Sequence, residues 1–324
     1  MGQHHLRVLK GHPNVGEVVV CDSNPARRRA MAERFELACY ESLDQLLEYC
    51  PDTEMAVVAT PTLDHVDTAS RLLENGVACL VEKPIAHSVQ CAIQLAKLSK
   101  ITGTLLAVGH IERYNPAVIR LRELLLQGAL GEVKVLNARR AGPAPDASRG
   151  SVADILVDIG IHEIDICRFL LDRNPRQVRA LGGTTSSVWP VMDYASLLLD
   201  FEGICSQIQV DWLTPHKTRR LEIMGTSAMA SLEYITQDLT ISYRSEAPLQ
   251  ADDFPQILLA SAKRTRTEQV DVASREPLFL ELSAFLSALN GDGTDIVTAD
   301  DAIESLRIAL AATDEINSVV SESR

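Results

Sequence analysis

From residue 17 the chain alternates short apolar, β-branched runs with stretches whose apolar residues recur at helical spacing. That pattern predicts parallel strands joined by crossover helices. Strands are expected at 17–22, 55–59, 77–81 and 105–109. Asn24 with Pro25 behind it, and Ser42, are placed to cap two of the intervening helices. Two more helices fit 64–74, stopping before Asn75-Gly76, and 88–100, stopping before Gly103.

After Gly109 the alternation ends. A helix is expected from Pro116 to about Gln127, with Gly128 as its stop, followed by strand-like runs at 132–138, 196–201, 205–212, 221–224 and 229–234. Several strands in succession with few crossovers predict a mainly antiparallel sheet. Helical spacing returns at 158–171, 277–289 and 300–319, and Pro-, Gly- and Ser-rich or polar loops are expected at 142–150 and 246–253. The predicted fold is α/β, with a Rossmann-type parallel sheet over 1–111 and an α+β domain with a large, mainly antiparallel sheet over 112–324.

The 324 residues are enough for two such cores, and no apolar run reaches the roughly 18 to 20 residues of a membrane span. A net charge of −13 disfavours phosphate backbones as partners, which excludes a general nucleic-acid binder. The seven cysteines are scattered, without a CxxC pair or metal-ligand spacing, so reduced thiols, a cytoplasmic setting and no metal are expected.

The candidate chemistry lies at predicted strand ends. Asp22 closes the strand 17–22 and stands twenty residues after Gly2. That is close to the spacing of about 20 between a dinucleotide glycine turn and the acid that binds the adenine ribose. On this reading Gly2 is the third glycine of the turn, a helix runs from Gln3 to Lys10, and the first strand is missing from the sheet, belonging before Met1. The other reading of Asp22 is a turn former. A carboxylate there favours NAD over NADP, although one of Arg27, Arg28 and Arg29 would reach a 2′-phosphate if they are not simply a solvated helix face.

Lys83, in Val81-Glu82-Lys83-Pro84, follows an apolar strand directly, and Pro84 holds it extended. It is either a surface lysine or a donor to an alkoxide developing beside a cofactor. Helical spacing puts Asp158, His162 and Asp165 on one face, where a carboxylate-oriented histidine is a competent general base; Asp158 is equally suited to capping the helix.

Taken together, Cys21-Asp22, Ala59-Thr60-Pro61 with His65, Glu82-Lys83-Pro84 and Asp158 to Asp165 resemble the Gfo/Idh/MocA family of NAD(P)-dependent sugar dehydrogenases, over nearly the whole chain. The strings GHIERYNPAV, ARRAGPAP and DWLTPHKTRRLEIMGT resemble, more narrowly, its UDP-N-acetylglucosamine 3-dehydrogenase branch, including relatives that oxidise the uronic acid. The resemblance implies oxidation of a sugar hydroxyl at C3, with Lys83 orienting nicotinamide and substrate, His162 as base and Asp158 supporting it. It puts Thr60, Pro61, His65 and Glu82 along the cofactor groove and Arg113, Tyr114 and Asn115 within reach of nicotinamide and sugar. Arg139, Arg140, His216 and Lys217 are the cations available to a nucleotide-sugar pyrophosphate, if they are not surface charges. It also implies a homo-oligomer paired through the C-terminal sheet. Two alternatives stay open: a free-sugar or inositol dehydrogenase, and a cofactor-weak sugar-binding or regulatory relative.

Overall fold

The computed structural model describes residues 1–145, 153–185, 191–244, 265–293 and 295–322. Of the two polar loops expected from the sequence, only 142–145 falls within these ranges. The chain forms two compact units, Met1–Ile111 with Glu276–Ile303, and Glu112–Arg275 with Glu304–Arg324. The first break lies where the strand alternation ends. The return of residues 276–303 to the first unit differs from the expected division.

The first unit begins with α1 (Gly2–Gly11), then β1 (Val20–Cys21), α2 (Pro25–Phe35), β2 (Cys39–Tyr40), α3 (Leu43–Tyr49) and β3 (Met55–Val58). It continues through α4 (Thr62–Glu74), β4 (Ala78–Glu82), α5 (Val89–Thr102) and β5 (Leu106–Gly109). Asn24 accepts hydrogen bonds from the Ala26 and Arg27 amides, and Ser42 and Ser88 cap α3 and α5 in the same way, so three crossover helices begin where the side chains dictate. All strand pairs are parallel, but they form two ladders, β1-β2 and β3-β4-β5, not one continuous sheet. All five β4 residues are buried, as a strand covered on both faces requires.

The late helix α8 (Pro277–Leu289) belongs to the first unit because its apolar stripe has a partner there. Leu278, Leu282 and Phe285 pack with Val8, Ala78, Leu80 and Ala107, and the Val297 carbonyl accepts the Val108 amide at the β5 edge.

The second unit opens on a short 3-10 turn (Ile111–Tyr114) and α6 (Pro116–Leu126), followed by β6 (Val133–Ala141). A π-helical turn (Leu156–Gly160) runs into α7 (Ile161–Leu171). Then come β7 (Gln177–Gly183), β8 (Tyr194–Phe201), β9 (Ile204–Asp211), β10 (Thr218–Gly225), β11 (Ala228–Glu233), β12 (Asp238–Arg244) and β13 (Thr265–Gln269). The helix α9 (Ala299–Glu322) is the last element.

The strands form one eight-stranded sheet in the order β13-β12-β11-β10-β6-β9-β8-β7, antiparallel throughout except for β6-β9. Alternate residues of β8 and β9 are buried, so the sheet has one apolar face. That face packs on Val118 and Leu121 of α6, Ile164 and Leu170 of α7, and Ala309 and Ile316 of α9.

Candidate active site

In the first unit the expected residues gather at the C-terminal strand ends. Glu82, the last residue of β4, is 7% exposed, and its Oε1 lies 2.6 Å from Nε2 of His5 on α1. Glycine at 109 is needed here: a Cβ would sit 3.3 Å from the Glu82 carboxylate. Burial pushes the Glu82 carboxyl up, but the hydrogen bond and charge of His5 and the charge of Lys83 outweigh it and hold the group below its usual range. Lys83 follows, half-buried, in a cis peptide bond to Pro84. The Pro84 carbonyl is 2.9 Å from His65 Nδ1, and the Thr60 carbonyl is 2.9 Å from His65 Nε2. His65 is thus a buried latch between the strand-end turns after β3 and β4, while Thr60 and Pro61 are exposed.

Burial lowers the His65 pKa against the pull of the two carbonyls, so the ring sits neutral and donates to one of them at a time. On acidification the unfolded chain gains a proton at about pH 6.5 that folded His65 resists. This contribution to stability is therefore complete above that pH and lost below it, by up to ~1.4 kcal/mol per pH unit. Urea unfolding at pH 7.5 and 5.5 should show a steeper loss for wild type than for His65→Gln.

Glu281 of α8 is 1% exposed, and neither carboxylate oxygen has a hydrogen-bond partner among the described residues. Burial, with the Glu82 charge second, raises its pKa well above the carboxylate range. A carboxyl with a raised folded pKa stabilises only at low pH, and its cost grows as pH climbs above its unfolded value of about 4.3. Glu281→Met should therefore be more stable than wild type by ~1–3 kcal/mol at pH 8, the cost of one unsatisfied buried group, and the gap should narrow at pH 5. Chemical denaturation at the two pH values measures it.

The fit to a dinucleotide rests on α1 and Asp22. The first turn of α1 has no side-chain cap, leaving amides for an anion, and a Cβ on Gly2 would meet nothing closer than Ala59 Cβ at 3.8 Å. The start of α1 therefore lies at the end of β3. Asp22 Oδ1 accepts the Asn24 amide at 2.8 Å, a turn-forming contact, while Oδ2 has Arg27 Nη1 at 3.9 Å. The turn-former reading of Asp22 is realised, and one oxygen is left available for a hydroxyl.

In the second unit, Asp158 lies within the π-helical turn and His162 in the first turn of α7; both are half-buried. Bonding from i to i+5 widens that turn, so the regular i, i+4 alignment expected for the pair is altered. Asp165 is committed elsewhere. It takes Arg113 in two hydrogen bonds, Nε–Oδ2 at 2.8 Å and Nη2–Oδ1 at 2.7 Å, and accepts Ser305 Oγ at 3.0 Å.

One residue after His162, Glu163 Oε1 binds Arg140 Nε at 2.6 Å and Oε2 accepts the Tyr234 hydroxyl at 2.9 Å. Arg140 Nη2 reaches Glu112 at 2.8 Å, and its guanidinium lies over the Tyr234 ring. Burial opposes the charge on Arg140, but Glu163 and Glu112 outweigh it and raise the pKa. Burial pushes the Glu163 carboxyl up in turn, with Arg140 opposing.

Several expected ligand contacts are thus taken by the protein itself. Arg140 is neutralised in a buried network, and Arg113 is paired with Asp165. Asn115, 2% exposed, accepts the Ala117 amide to cap α6 and donates one of its two Nδ2 hydrogens to the Tyr234 carbonyl. Arg139, by strand alternation, lies on the opposite sheet face, in a polar groove with Asn137, Gln207, Gln209 and Arg220. His216 and Lys217 are exposed between β9 and β10, and Tyr114 is half-buried.

Residues 1–110 match the profile described as "Oxidoreductase family, NAD-binding Rossmann fold", and residues 118–231 match "GFO/IDH/MocA C-terminal domain". The chain belongs to the Gfo/Idh/MocA family. It is 29% identical over 271 residues to UDP-N-acetylglucosamine 3-dehydrogenase of Acidithiobacillus ferrooxidans, covering 83% of this chain and 80% of that one. A crystal structure of that dehydrogenase superposes with a TM-score of 0.82 at 24% identity, covering 98% and 94% of the two chains. The scyllo-inositol 2-dehydrogenase (NAD(+)) of Bacillus subtilis is 25% identical over 317 residues, covering 92% and 86%.

As a Gfo/Idh/MocA member the chain is an NAD-binding oxidoreductase of sugar or polyol dehydrogenase type. Among the described residues no group of three His, Cys, Asp or Glu side chains could hold a metal ion, and no helix is long and apolar enough to cross a membrane. Residues that sequence reasoning missed at the site are His5, Glu112, Glu163, Tyr234 and Glu281. The two histidines of Gln3-His4-His5-Leu6 on a predicted helix facing a strand end were the one available signal.

Proposed function

We propose that this chain oxidises the C3 hydroxyl of a UDP-linked N-acetylhexosamine, or of its uronic acid, to a ketone with NAD⁺. The observation that carries the reading is the fixing of Lys83: the residue before it is held by His5 and the carbonyl after it by His65, at the C-terminal strand edge where ligands of open parallel sheets bind. An ordinary surface lysine has no need of two buried latches.

In this mechanism Lys83 donates a hydrogen bond to the substrate oxygen and stabilises the negative charge that develops there. His162 accepts the hydroxyl proton, and Asp158 supports the protonated ring. A bound NAD⁺ would supply the acceptor for the hydride that leaves the carbinol carbon. The amides opening α1 would hold its pyrophosphate and Asp22 its adenine ribose, where a carboxylate favours NAD over NADP. Thr60 and Pro61 line the groove, with His65 and Glu82 behind them. Tyr114, His216 and Lys217 serve the nucleotide sugar.

The partners of the chain are then a small nucleotide sugar and a second copy of itself, through the polar face of the large sheet. NADH formation with UDP-N-acetylglucosamine, UDP-N-acetylglucosaminuronate and myo-inositol tests the reading. Turnover confined to myo-inositol would replace it with the polyol reading, which the similarity to scyllo-inositol 2-dehydrogenase favours.

A further inference from the structure

The buried network around Arg140 has a second cation at its rim. Arg219 faces Arg140 across β10 and β6, on the same inner face of the sheet as Leu221 and Ile223. Its side chain is 38% exposed, and its one ion-pair contact among the described residues is Glu112 Oε1 at 3.8 Å. That oxygen already accepts Arg140 Nη2 at 2.8 Å. Among the described residues none of the five guanidinium N–H donors of Arg219 makes a hydrogen bond, although Arg140 beside it donates from both Nε and Nη2. Burial first, and the Arg140 charge second, push its pKa down, a cost that an incoming anion relieves.

A planar fork of unused donors, half withdrawn from water beside a like charge, matches the bidentate recognition of carboxylate or phosphate. We propose that Arg219 binds an oxyanion of the sugar substrate, selecting anionic sugars over neutral polyols. The inference rests on the substrate reading above and deepens it. Glu163, which follows His162 on α7, is the residue that holds Arg140, so the hydroxyl-activating histidine and the oxyanion site share one scaffold. Two oxyanions fit the chemistry: the diphosphate of the nucleotide and the C6 carboxylate of a uronic acid.

The test is calorimetric binding of UDP-N-acetylglucosamine, UDP-N-acetylglucosaminuronate and myo-inositol to wild type, Arg219→Ala, Arg219→Gln and Arg219→Lys, each checked for native circular dichroism. The affinity for the anionic sugar relative to myo-inositol should fall about ten- to hundred-fold in the Ala and Gln variants, the loss of one or two charge-assisted hydrogen bonds, and less in the Lys variant. An equal fall for both UDP-sugars assigns the diphosphate; a fall confined to the uronate assigns the carboxylate. An unchanged ratio, an equal loss for myo-inositol, or a wild type that binds neither anionic sugar overturns the proposal. NADH formation is read separately, so anionic sugars that bind through Arg219 without being oxidised would sink the dehydrogenase reading and leave the oxyanion site standing.

Discussion

Lys83→Ala and His162→Ala should each lower kcat by roughly 10²–10⁴-fold, the usual share of a positioned proton acceptor or of a donor to developing charge. The reason lies in what each residue has around it. Lys83 is flanked by a carboxylate tied to His5 and a carbonyl tied to His65, so the strand-end backbone survives truncation of the lysine side chain. Folding should therefore be preserved while turnover collapses. For His162, pH adds a second readout. With His162 as the base, kcat/KM in wild type falls on the acidic side as the imidazole protonates, and that limb disappears from the residual activity of His162→Ala. Steady-state kinetics across pH 5.5 to 8.5 measures both effects, and variants that retain wild-type kcat would remove these residues from the chemistry.

Glu163→Ala should produce the largest loss of stability, about 3–5 kcal/mol, because it leaves Nε of Arg140 and the Tyr234 hydroxyl without their partner in the interior. Arg140 is 3% exposed and Glu163 fully buried, so water cannot replace the lost contacts. Tyr234, whose hydroxyl is held by Glu163, would lose its acceptor as well. Glu163→Gln, which keeps an oxygen for one donor, should cost less. Guanidinium unfolding compares the three proteins, and a near-neutral Glu163→Ala would mean that the network is not the keystone of the inner sheet face.

Periodicity made much of this architecture legible. β4 and β5 are legible because burial on both faces demands continuous apolar runs, and α2 and α3 because Asn24 and Ser42 announce their starts. The last helices were readable too, α8 to the residue, but not its membership of the first unit, since an apolar stripe does not name its partner. β13 (Thr265–Gln269), an edge strand of polar residues, gave no pattern to find. β12 (Asp238–Arg244) carries the alternation Leu239, Ile241, Tyr243, a strand signal absent from the runs expected above. The π-helical turn at 156–160 was invisible, because nothing in Leu-Val-Asp-Ile-Gly departs from helical spacing.

At the site, the strand-end motifs announced themselves because their place in a parallel sheet follows from topology. Which cations stay available to a ligand did not, since that depends on pairings far apart in sequence. Arg140 looks like a ligand group in a string of letters, and only Glu112 and Glu163 reveal that it is already paired.

The most direct test of the account follows the hydride. UDP-N-acetylglucosamine carrying deuterium at C3, incubated with the enzyme and NAD⁺, should yield nicotinamide that carries the deuterium, at a rate slower than with unlabelled sugar. Reduced nicotinamide without deuterium, with the label retained in the sugar, would show that the electrons come from another carbon and would contradict C3 oxidation.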